Sequence, residues 1–412
     1  LHKTVHSFPT RRSSDLLHLT WEYPPVVYGG LGRHVHALSR AQAAAGHEVT
    51  VVTQQPEDAA AEETIDGVRI VRVSPVGPFP YHLPSLLSWV GFLDDAIGRA
   101  GMQQDRVEVV HVHDWVTGRA GTATAEALEV PLVATVHATE AGRHRGWLPD
   151  DVSRGVHLIE RWLVDEADSL IVCSQSMATE VQHAHSADPA RITVIPNGID
   201  ASVYSPHDNV APDLLEGSPR ISFVGRIEWE KGVFTAVEAM PAVLARYPRA
   251  RLRIVGTGGQ SAAVADLVAR SGLTTQVQLL GHVDEPTLRA VYTSSDLVIA
   301  PSSYEPFGIV ALEAAAMGVP LVVGDTGGLA EFVTDQRGRR CRPNDAADLA
   351  AQIVTTFDEP EQTARRRANA SLALSQYTWD EVARRTAEVY DKARRRQRPA
   401  RVTRAPANPI WE

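Results

Sequence analysis

The chain has 412 residues, 44% of them hydrophobic and 22% charged, which is the balance of a globular protein long enough for two domains. Its formal net charge of −10 argues against the broadly basic surface typical of nucleic-acid-binding proteins, so we expect no nucleic-acid partner. The cysteines, Cys173 and Cys341, are too few for a disulfide framework and favour a reducing, cytoplasmic location. Apolar runs stay shorter than the ~18 residues that a membrane span needs, so we expect no stable membrane insertion.

Residues 1–15 have neither helical nor strand periodicity and lack the apolar segment of a signal peptide. The first residue is Leu rather than Met. We expect this stretch to be foreign to the natural protein or disordered. The first strand would then be reduced to Leu16–Leu19.

Short aliphatic runs alternate with longer helical patterns along most of the chain, which predicts an α/β protein with two parallel, doubly wound, Rossmann-like sheets. The first series of predicted strands is Leu16–Leu19, Glu48–Thr53, Val68–Val73, Val107–His111, Leu132–Thr135, Ser169–Cys173 and Ile192–Ile195. The second is Arg220–Val224, Arg251–Val255, Val277–Leu280, Leu297–Ala300, Leu321–Val323 and Gly338–Cys341. The acidic stretch Glu57–Asp66 is interpreted as a solvated loop.

Prolines and glycines between Tyr204 and Ser218 interrupt all periodicity and predict a domain boundary. We therefore expect an amino-terminal, acceptor-side domain over residues 16–205 and a carboxy-terminal, nucleotide-sugar-binding domain over 206–378. A helix over 379–393 would pack back across the junction. The basic tail, residues 394–412, is expected to be disordered.

Glycine-rich and charged loops follow the first strand of each predicted sheet. Gly29 and Gly30 precede a predicted helix, Arg33–Ala45, whose free N–H groups would favour a phosphate. A plain strand-to-helix turn explains that loop about as well. In the second sheet, Arg226 and Lys231 stand five residues apart and could clamp a pyrophosphate. The alternative is a pair of surface cations beside Glu228 and Glu230.

Two acids eight positions apart, Glu305 and Glu313, flank the start of another predicted helix. Pro306 fits its first turn, and Gly318 fits its stop. The free N–H groups of Phe307 and Gly308 would face the same cleft as Glu305. Glu313 stands among alanines and Leu312, where a buried carboxylate needs a polar partner.

His113 and Asp114 follow the predicted strand that ends at His111, and His137 and Glu140 follow the one that ends at Thr135. Both groups therefore stand at the carboxyl ends of strands. The two histidines could belong to a metal site, but the spacings of known zinc motifs are missing. We therefore predict no metal there and no cofactor.

Together these motifs resemble the GT-B glycosyltransferases of family 4, which include bacterial glycogen synthases of the retaining type. The resemblance covers Leu17 to about Ala393, and a narrower one, to actinobacterial α-(1→4)-glucosyltransferases, rests on further short motifs. The family resemblance is carried by Glu305…Glu313, Gly225…Gly232, the early glycine loop and Asn197–Asp200. The narrower resemblance is carried by Trp21–Pro25, Gly30–Val35, His113–Trp115, His137–His144 and Tyr304–Gly308.

The resemblance implies an enzyme that moves glucose from UDP- or ADP-glucose to an α-glucan or oligosaccharide, with the donor between the domains. It implies catalytic roles for His137, Arg226, Lys231 and Glu305. Donor contacts are implied for Gly29, Gly30, Val283, Phe307, Gly308 and Glu313, and acceptor-side positions for Asp114 and Glu140. One departure is Pro25–Tyr28, which stands where longer bacterial glycogen synthases carry a lysine.

Three alternatives remain open. A transferase of the same fold could use GDP-mannose, or a lipid or sugar-phosphate acceptor, and the apolar stripe in Ser85–Arg99 could touch a lipid, although core packing is the better interpretation. A catalytically silent sugar-binding protein is disfavoured because the charged residues Arg226, Lys231, Glu305 and Glu313 are all present. A dinucleotide oxidoreductase is disfavoured because the dinucleotide-binding fingerprint is missing.

Overall fold

The computed structural model describes residues 14–74, 83–204 and 210–395, which form two β-sheets flanked by helices. The strands of the first sheet are β1 (Asp15–Leu19), β2 (Glu48–Gln54), β3 (Glu62–Ile65), β4 (Val68–Val73), β5 (Val109–His113), β6 (Leu132–Val136), β7 (Ser169–Val172) and β8 (Ile192–Val194). The helices around it are α1 (Gly30–Ala44), α2 (Leu83–Met102), α3 (Gly118–Ala127), α4 (Glu140–Arg143), α5 (Asp151–Glu166) and α6 (Gln175–His185). We call this part of the chain the first half.

The second half is built on six strands: β9 (Arg220–Val224), β10 (Arg251–Val255), β11 (Val277–Gly281), β12 (Leu297–Ala300), β13 (Leu321–Gly324) and β14 (Arg339–Cys341). Its helices are α7 (Val233–Arg246), α8 (Ser261–Arg270), α9 (Glu285–Thr293), α10 (Ile309–Ala316), α11 (Gly327–Phe332), α12 (Ala346–Asp358) and α13 (Pro360–Ala373). The last helix, α14 (Trp379–Arg395), follows them.

The strand order is β3-β4-β2-β1-β5-β6-β7-β8 in the first sheet and β11-β10-β9-β12-β13-β14 in the second. All pairs are parallel except β3 with β4. The order reverses between β1 and β5 and again between β9 and β12, and open α/β sheets bind ligands beyond the carboxyl ends of such strands. The loops after these four strands are therefore the first place to look for a site.

Buried apolar runs explain why the strands were predictable. All residues of β5, β6, β7, β12 and β13 are buried, as strands covered by helices on both faces require. β3 was missed, because its exposed sequence Glu-Glu-Thr-Ile covers only the sheet edge next to β4. The prediction that Glu57–Asp66 is entirely loop is therefore wrong. β5 also begins two residues later than predicted, so that His113 ends the strand.

Helix α14 returns the end of the chain to the first half. The hydroxyl of Tyr390, which is fully buried, bonds with Nδ1 of His111 at 2.7 Å and accepts a hydrogen bond from Gln42 at 3.0 Å. Trp379 packs so closely on Gly198 that an added Cβ would lie 2.7 Å from its ring. The helix runs to Arg395, two residues beyond its predicted end, and the tail after it lies outside the described residues, as do residues 1–13.

The apolar stripe of α2 packs largely inward, with Trp89, Val90, Leu93 and Ile97 in the core. Phe92 on the opposite face is 68% exposed. Core packing is thus the main use of this stripe. Of the helices described, none is both long and apolar enough to cross a bilayer.

Candidate active site

Lys231 and Glu305 meet in the second half, beyond the carboxyl ends of β9 and β12. Lys231 ends a short 3-10 helix, Trp229–Lys231, and its Nζ lies 2.8 Å from Oε2 of Glu305. The two side chains are only 17% and 14% exposed. The structure therefore brings together two residues that stand 74 positions apart and that the sequence had singled out separately.

Arg226 lies in the loop after β9, with Nη2 3.1 Å from Oε1 of Glu230. The backbone carbonyl of Glu230 accepts the amide of Ser303 at 2.8 Å. This bond joins the loop that carries Arg226 and Lys231 to the loop that carries Glu305. Arg226 is 41% exposed, so its guanidinium is accessible to an anion.

Gly232 is the residue that allows Lys231 to approach the second loop. Its φ is 72°, and an added Cβ would lie 2.1 Å from the carbonyl oxygen of Pro301. We expect Gly232→Ala to lower the melting temperature and to weaken donor binding, because backbone atoms cannot yield as a flexible side chain would. Gly272, whose φ is 67° with open space around it, is the matched control. Equal losses in Gly272→Ala would show that strain in φ alone is responsible.

Helix α10 begins at Ile309, three residues later than the position predicted from Pro306. Gly308 precedes it with a φ of 92°, and an added Cβ there would lie 2.3 Å from Cδ2 of Leu329. The prediction that Pro306 opens the helix is thus wrong, since the chain makes a left-handed turn first. Gly318 does follow the end of the helix, with a φ of 66°. In the described residues the amides of Phe307 and Gly308 donate to no protein acceptor.

Glu313 lies in the second turn of α10 and is 2% exposed. Its Oε1 accepts hydrogen bonds from Nη1 of Arg33 at 2.9 Å and from the Tyr204 hydroxyl at 2.7 Å. Its Oε2 accepts from the Tyr292 hydroxyl at 2.6 Å. The polar partners that the sequence required are therefore protein groups, one of them from α1 of the first half. Contact with a ribose stays a prediction.

The glycine loop after β1 is organised around Glu22. Its Oε2 accepts the amides of Tyr28 at 2.9 Å, Gly29 at 3.1 Å and Gly32 at 3.3 Å. Burial raises the pKa of this carboxyl, although the three amides oppose the shift. Helix α1 starts at Gly30, not at Arg33 as predicted. Gly30 itself lies against the N-terminus of α10, since an added Cβ would be 3.4 Å from Cδ1 of Ile309.

His137 and Asp114 are held together at the carboxyl edge of the first sheet. Oδ1 of Asp114 accepts the amide of His137 at 2.6 Å, and Nε2 of His137 lies 3.2 Å from Nδ1 of His113. Burial lowers the pKa of His137 to about 3, so its imidazole is neutral at physiological pH. Asp114 adopts a φ of 61°, a conformation that aspartate tolerates better than most residues.

Asp114 should give the protein a measurable pH dependence. Burial raises its pKa to about 6, so the folded state binds this proton more tightly than the unfolded chain does. Stability is therefore lost as the pH rises from the unfolded pKa towards 6. We expect the melting temperature of Asp114→Asn, relative to the native protein, to increase between about pH 4.5 and pH 7. A constant difference would show that the carboxyl titrates normally.

Glu140 is the first residue of α4, and its carboxylate contacts two side chains. Oε1 accepts from the Ser153 hydroxyl at 2.7 Å and lies 3.2 Å from Nε2 of His144. Arg143, at the end of α4, is partly buried; its desolvation is outweighed by Tyr304, Asp114 and Glu140, and its pKa is raised. Val283, the predicted base contact, is half-buried in the loop after β11 and packs on the core.

Sequence reasoning missed the contacts that join the two halves. The Tyr304 hydroxyl donates to Oε1 of Glu180 at 2.8 Å and accepts the amide of Thr139 at 3.1 Å. An added Cβ on Gly142 would lie 2.6 Å from the Tyr304 ring, so no larger residue fits there. Arg145 lies over the Trp229 ring at 5.8 Å. Tyr304 directly precedes the predicted site residue Glu305, and this position is the sequence signal that could have identified it.

Several predicted residues thus lie at contacts between the two halves. Gly30 lies near Ile309, Glu313 binds Arg33, and the residue before Glu305 contacts Thr139. The second half supplies two cations, a carboxylate and the free amides before α10. The first half supplies a neutral imidazole, a carboxylate and the glycine loop. Cations and amides of this kind stabilise negative charge on a diphosphate, and the polar groups around them can bind sugar hydroxyls.

Comparison with known proteins shows which family the chain belongs to. The family model described as Glycosyltransferase Family 4 matches residues 28–203, and Glycosyl transferases group 1 matches residues 208–372. The glycogen synthase of Mycobacterium tuberculosis is 41% identical over 400 residues, which cover 93% of this chain and 96% of that protein. The D-inositol 3-phosphate glycosyltransferase of Xylanimonas cellulosilytica is 32% identical, over 90% of this chain and 94% of its own length.

The fold agrees as well. The sucrose-phosphate synthase of Thermosynechococcus elongatus superimposes with a TM-score of 0.80 at 23% identity, over 92% of this chain and 98% of that one. The chain accordingly belongs to glycosyltransferase family 4 and is a glycogen-synthase-like hexosyltransferase with the two-sheet GT-B fold.

Proposed function

We propose that the enzyme transfers glucose, with retention of configuration, from UDP- or ADP-glucose to an α-(1→4)-glucan or a related oligosaccharide. The observation that carries the proposal is the Lys231–Glu305 pair beside the N-terminus of α10. We infer that the diphosphate of the donor binds beside this pair, in a chain 41% identical to a glycogen synthase. The domain division at residues 205 and 206 belongs to the same proposal.

In this proposal the second half binds the donor. Lys231 and Arg226 hold the diphosphate and stabilise the charge that grows as the glycosidic bond breaks. Glu305, with the amides of Phe307 and Gly308, orients the sugar hydroxyls. Glu313 takes the ribose by exchanging one of its protein donors for a ribose hydroxyl. Backbone atoms at Val283 contact the base.

The first half closes over the sugar and the acceptor. Gly29 and Gly30 approach the phosphate, and Gly30 already lies near Ile309. His137 accepts or donates a hydrogen bond at the sugar's 6-hydroxyl, since its low pKa keeps the ring neutral. Asp114 and Glu140 lie on the acceptor side.

Retention requires no protein nucleophile in this scheme. The leaving diphosphate oxygen accepts the proton of the attacking acceptor hydroxyl, on the same face of the sugar. The bond from C1 to the diphosphate breaks as the bond from C1 to the acceptor oxygen forms. No metal is needed for neutralisation, because Lys231 and Arg226 supply the positive charge.

The test is a matrix of donors and acceptors. UDP-, ADP- and GDP-sugars are each incubated with glycogen, maltooligosaccharides and glucose 1-phosphate, and the new linkage is determined by NMR. We expect an α-(1→4) product from a glucose donor on a glucan. Transfer only to a phosphorylated small acceptor would instead support the alternative, which the 32% identity to a D-inositol 3-phosphate glycosyltransferase keeps in view. An inverted anomeric configuration would refute the mechanism.

A further inference from the structure

We propose that His157, Glu160 and His185 form a zinc-binding site between α5 and α6. We call these three residues the α5–α6 cluster. It lies in the first half, next to the start of α4 at Glu140. None of its members has a role in sugar transfer as proposed above. The inference therefore stands or falls independently of the proposed function.

The geometry of the cluster suits a small transition-metal ion. His157 and Glu160 stand three positions apart on one face of α5, and His185 ends α6 opposite them. One ligand atom from each residue lies within 4.8 Å of the other two. Nε2 of His185 is 3.4 Å from Oε2 of Glu160, close to the separation of about 3.3–3.4 Å that two tetrahedral ligands at zinc distances require.

The polar atoms of the cluster have too few partners for a purely structural role. His185 is 1% exposed, yet neither of its ring nitrogens has a hydrogen-bond partner in the described structure. Nδ1 of His157 is buried and equally without a partner. Leaving such buried polar atoms without a partner is unfavourable, and a metal ion would satisfy them. Two imidazoles and one carboxylate are a common zinc ligand set.

The cluster is connected to the acceptor side of the junction. Both carboxylate oxygens of Glu160 accept the amide of Glu140, at 2.9 and 3.1 Å. A metal ion on Glu160 would therefore fix the start of α4, which presents Glu140 and Arg143. Half-exposed His157 provides a route for the ion to enter.

The other histidine clusters differ in this respect. Nitrogens of His18 and His111 are already hydrogen-bonded, to Gln42, Tyr390 and Thr135. In the group formed by His34, His113 and His137, Nε2 of His34 is a buried ring nitrogen without a partner among the described residues. These clusters are the natural competitors for a metal, and the experiment must distinguish them from the α5–α6 cluster.

The test is equilibrium dialysis of the full chain, stripped with EDTA, against zinc chloride, with bound zinc measured by mass spectrometry. We expect a single Zn²⁺ per chain and, on substitution by Co²⁺, the visible absorption of a tetrahedral site. His157→Gln and His185→Gln should weaken binding by more than the about 10- to 100-fold typical of losing an outer partner. His183→Gln, exposed on the same helix α6, should bind zinc like the native protein.

Two further measurements complete the test. Zinc should raise the melting temperature of the native protein and of His183→Gln, but not that of His157→Gln, whose half-exposed position makes misfolding a minor concern. Zinc binding that survives both cluster variants, or that is lost in His34→Gln instead, would overturn the proposal. So would a stripped protein that takes up no zinc at all.

Discussion

Replacing Lys231 by Ala is expected to lower kcat by about 10²–10³-fold, the typical cost of losing one group that stabilises charge in the transition state. Its Nζ is held 2.8 Å from Glu305 and aimed at the place where the donor diphosphate is proposed to lie. Arg226→Ala should show a loss of the same order. Initial rates at saturating donor, on protein whose fold is checked by circular dichroism, give the comparison.

The two variants control for each other, because they break different ion pairs. Lys231→Ala leaves Glu305 without its partner. Arg226→Ala leaves the buried carboxylate of Glu230 without its partner, so the stability of both variants is measured alongside turnover. Arg270→Ala removes a 68% exposed guanidinium far along α8 and should leave turnover unchanged. Native turnover in both Lys231→Ala and Arg226→Ala would exclude the proposed diphosphate site.

Glu313→Ala is expected to combine the second-largest loss of activity with a loss of stability. The buried hydroxyl of Tyr292 and that of Tyr204 would each lose an acceptor, at about 1–3 kcal/mol per unsatisfied group. If the carboxylate also binds ribose, the donor KM rises as well. Thermal unfolding and donor titration measure the two effects separately.

A second pair of variants separates the structural role of Glu313 from its role in binding. Tyr204→Phe removes one donor and leaves the carboxylate in place, so we expect lower stability with donor KM nearly unchanged. Arg33→Ala leaves the buried carboxylate of Glu313 without its charged partner, so it should also lower stability. If Glu313→Ala and Tyr204→Phe alter the donor KM equally, the ribose contact is refuted.

The fold was predictable where local sequence decides it. The bounds of Val68–Val73, Arg220–Val224, Arg251–Val255 and Leu297–Ala300 agree with the prediction, because each is a short run rich in apolar residues that are buried in its sheet. β3 carries no such run and depends on pairing with β4, so its sequence alone looks like a loop. The start of α10 was misplaced for a similar reason: Gly308 makes its left-handed turn against Leu329, a neighbour that comes later in the chain.

The site was predictable by residue type but not by partner. Lys231 and Glu305 were both identified, yet nothing in the sequence says that they touch. Arg33 meets Glu313 across 280 positions, and Glu180 meets Tyr304 across 124. Such pairs are set by how the two halves pack, which no local pattern encodes. Glu22 and Gly29 are only seven residues apart, but the hydrogen bond between the Glu22 carboxylate and the Gly29 amide depends on a bend in the chain that the sequence does not reveal.

Because α14 completes the first half, synthesis and folding cannot proceed in step along this polypeptide. A ribosome must translate both sheets and α14 before Tyr390 can reach His111 and Gln42. Until then the nascent amino-terminal half keeps the apolar surface under α14 open to solvent and to chaperones. Emergence of α14 from the ribosome, rather than emergence of the first half, is the event that covers this core.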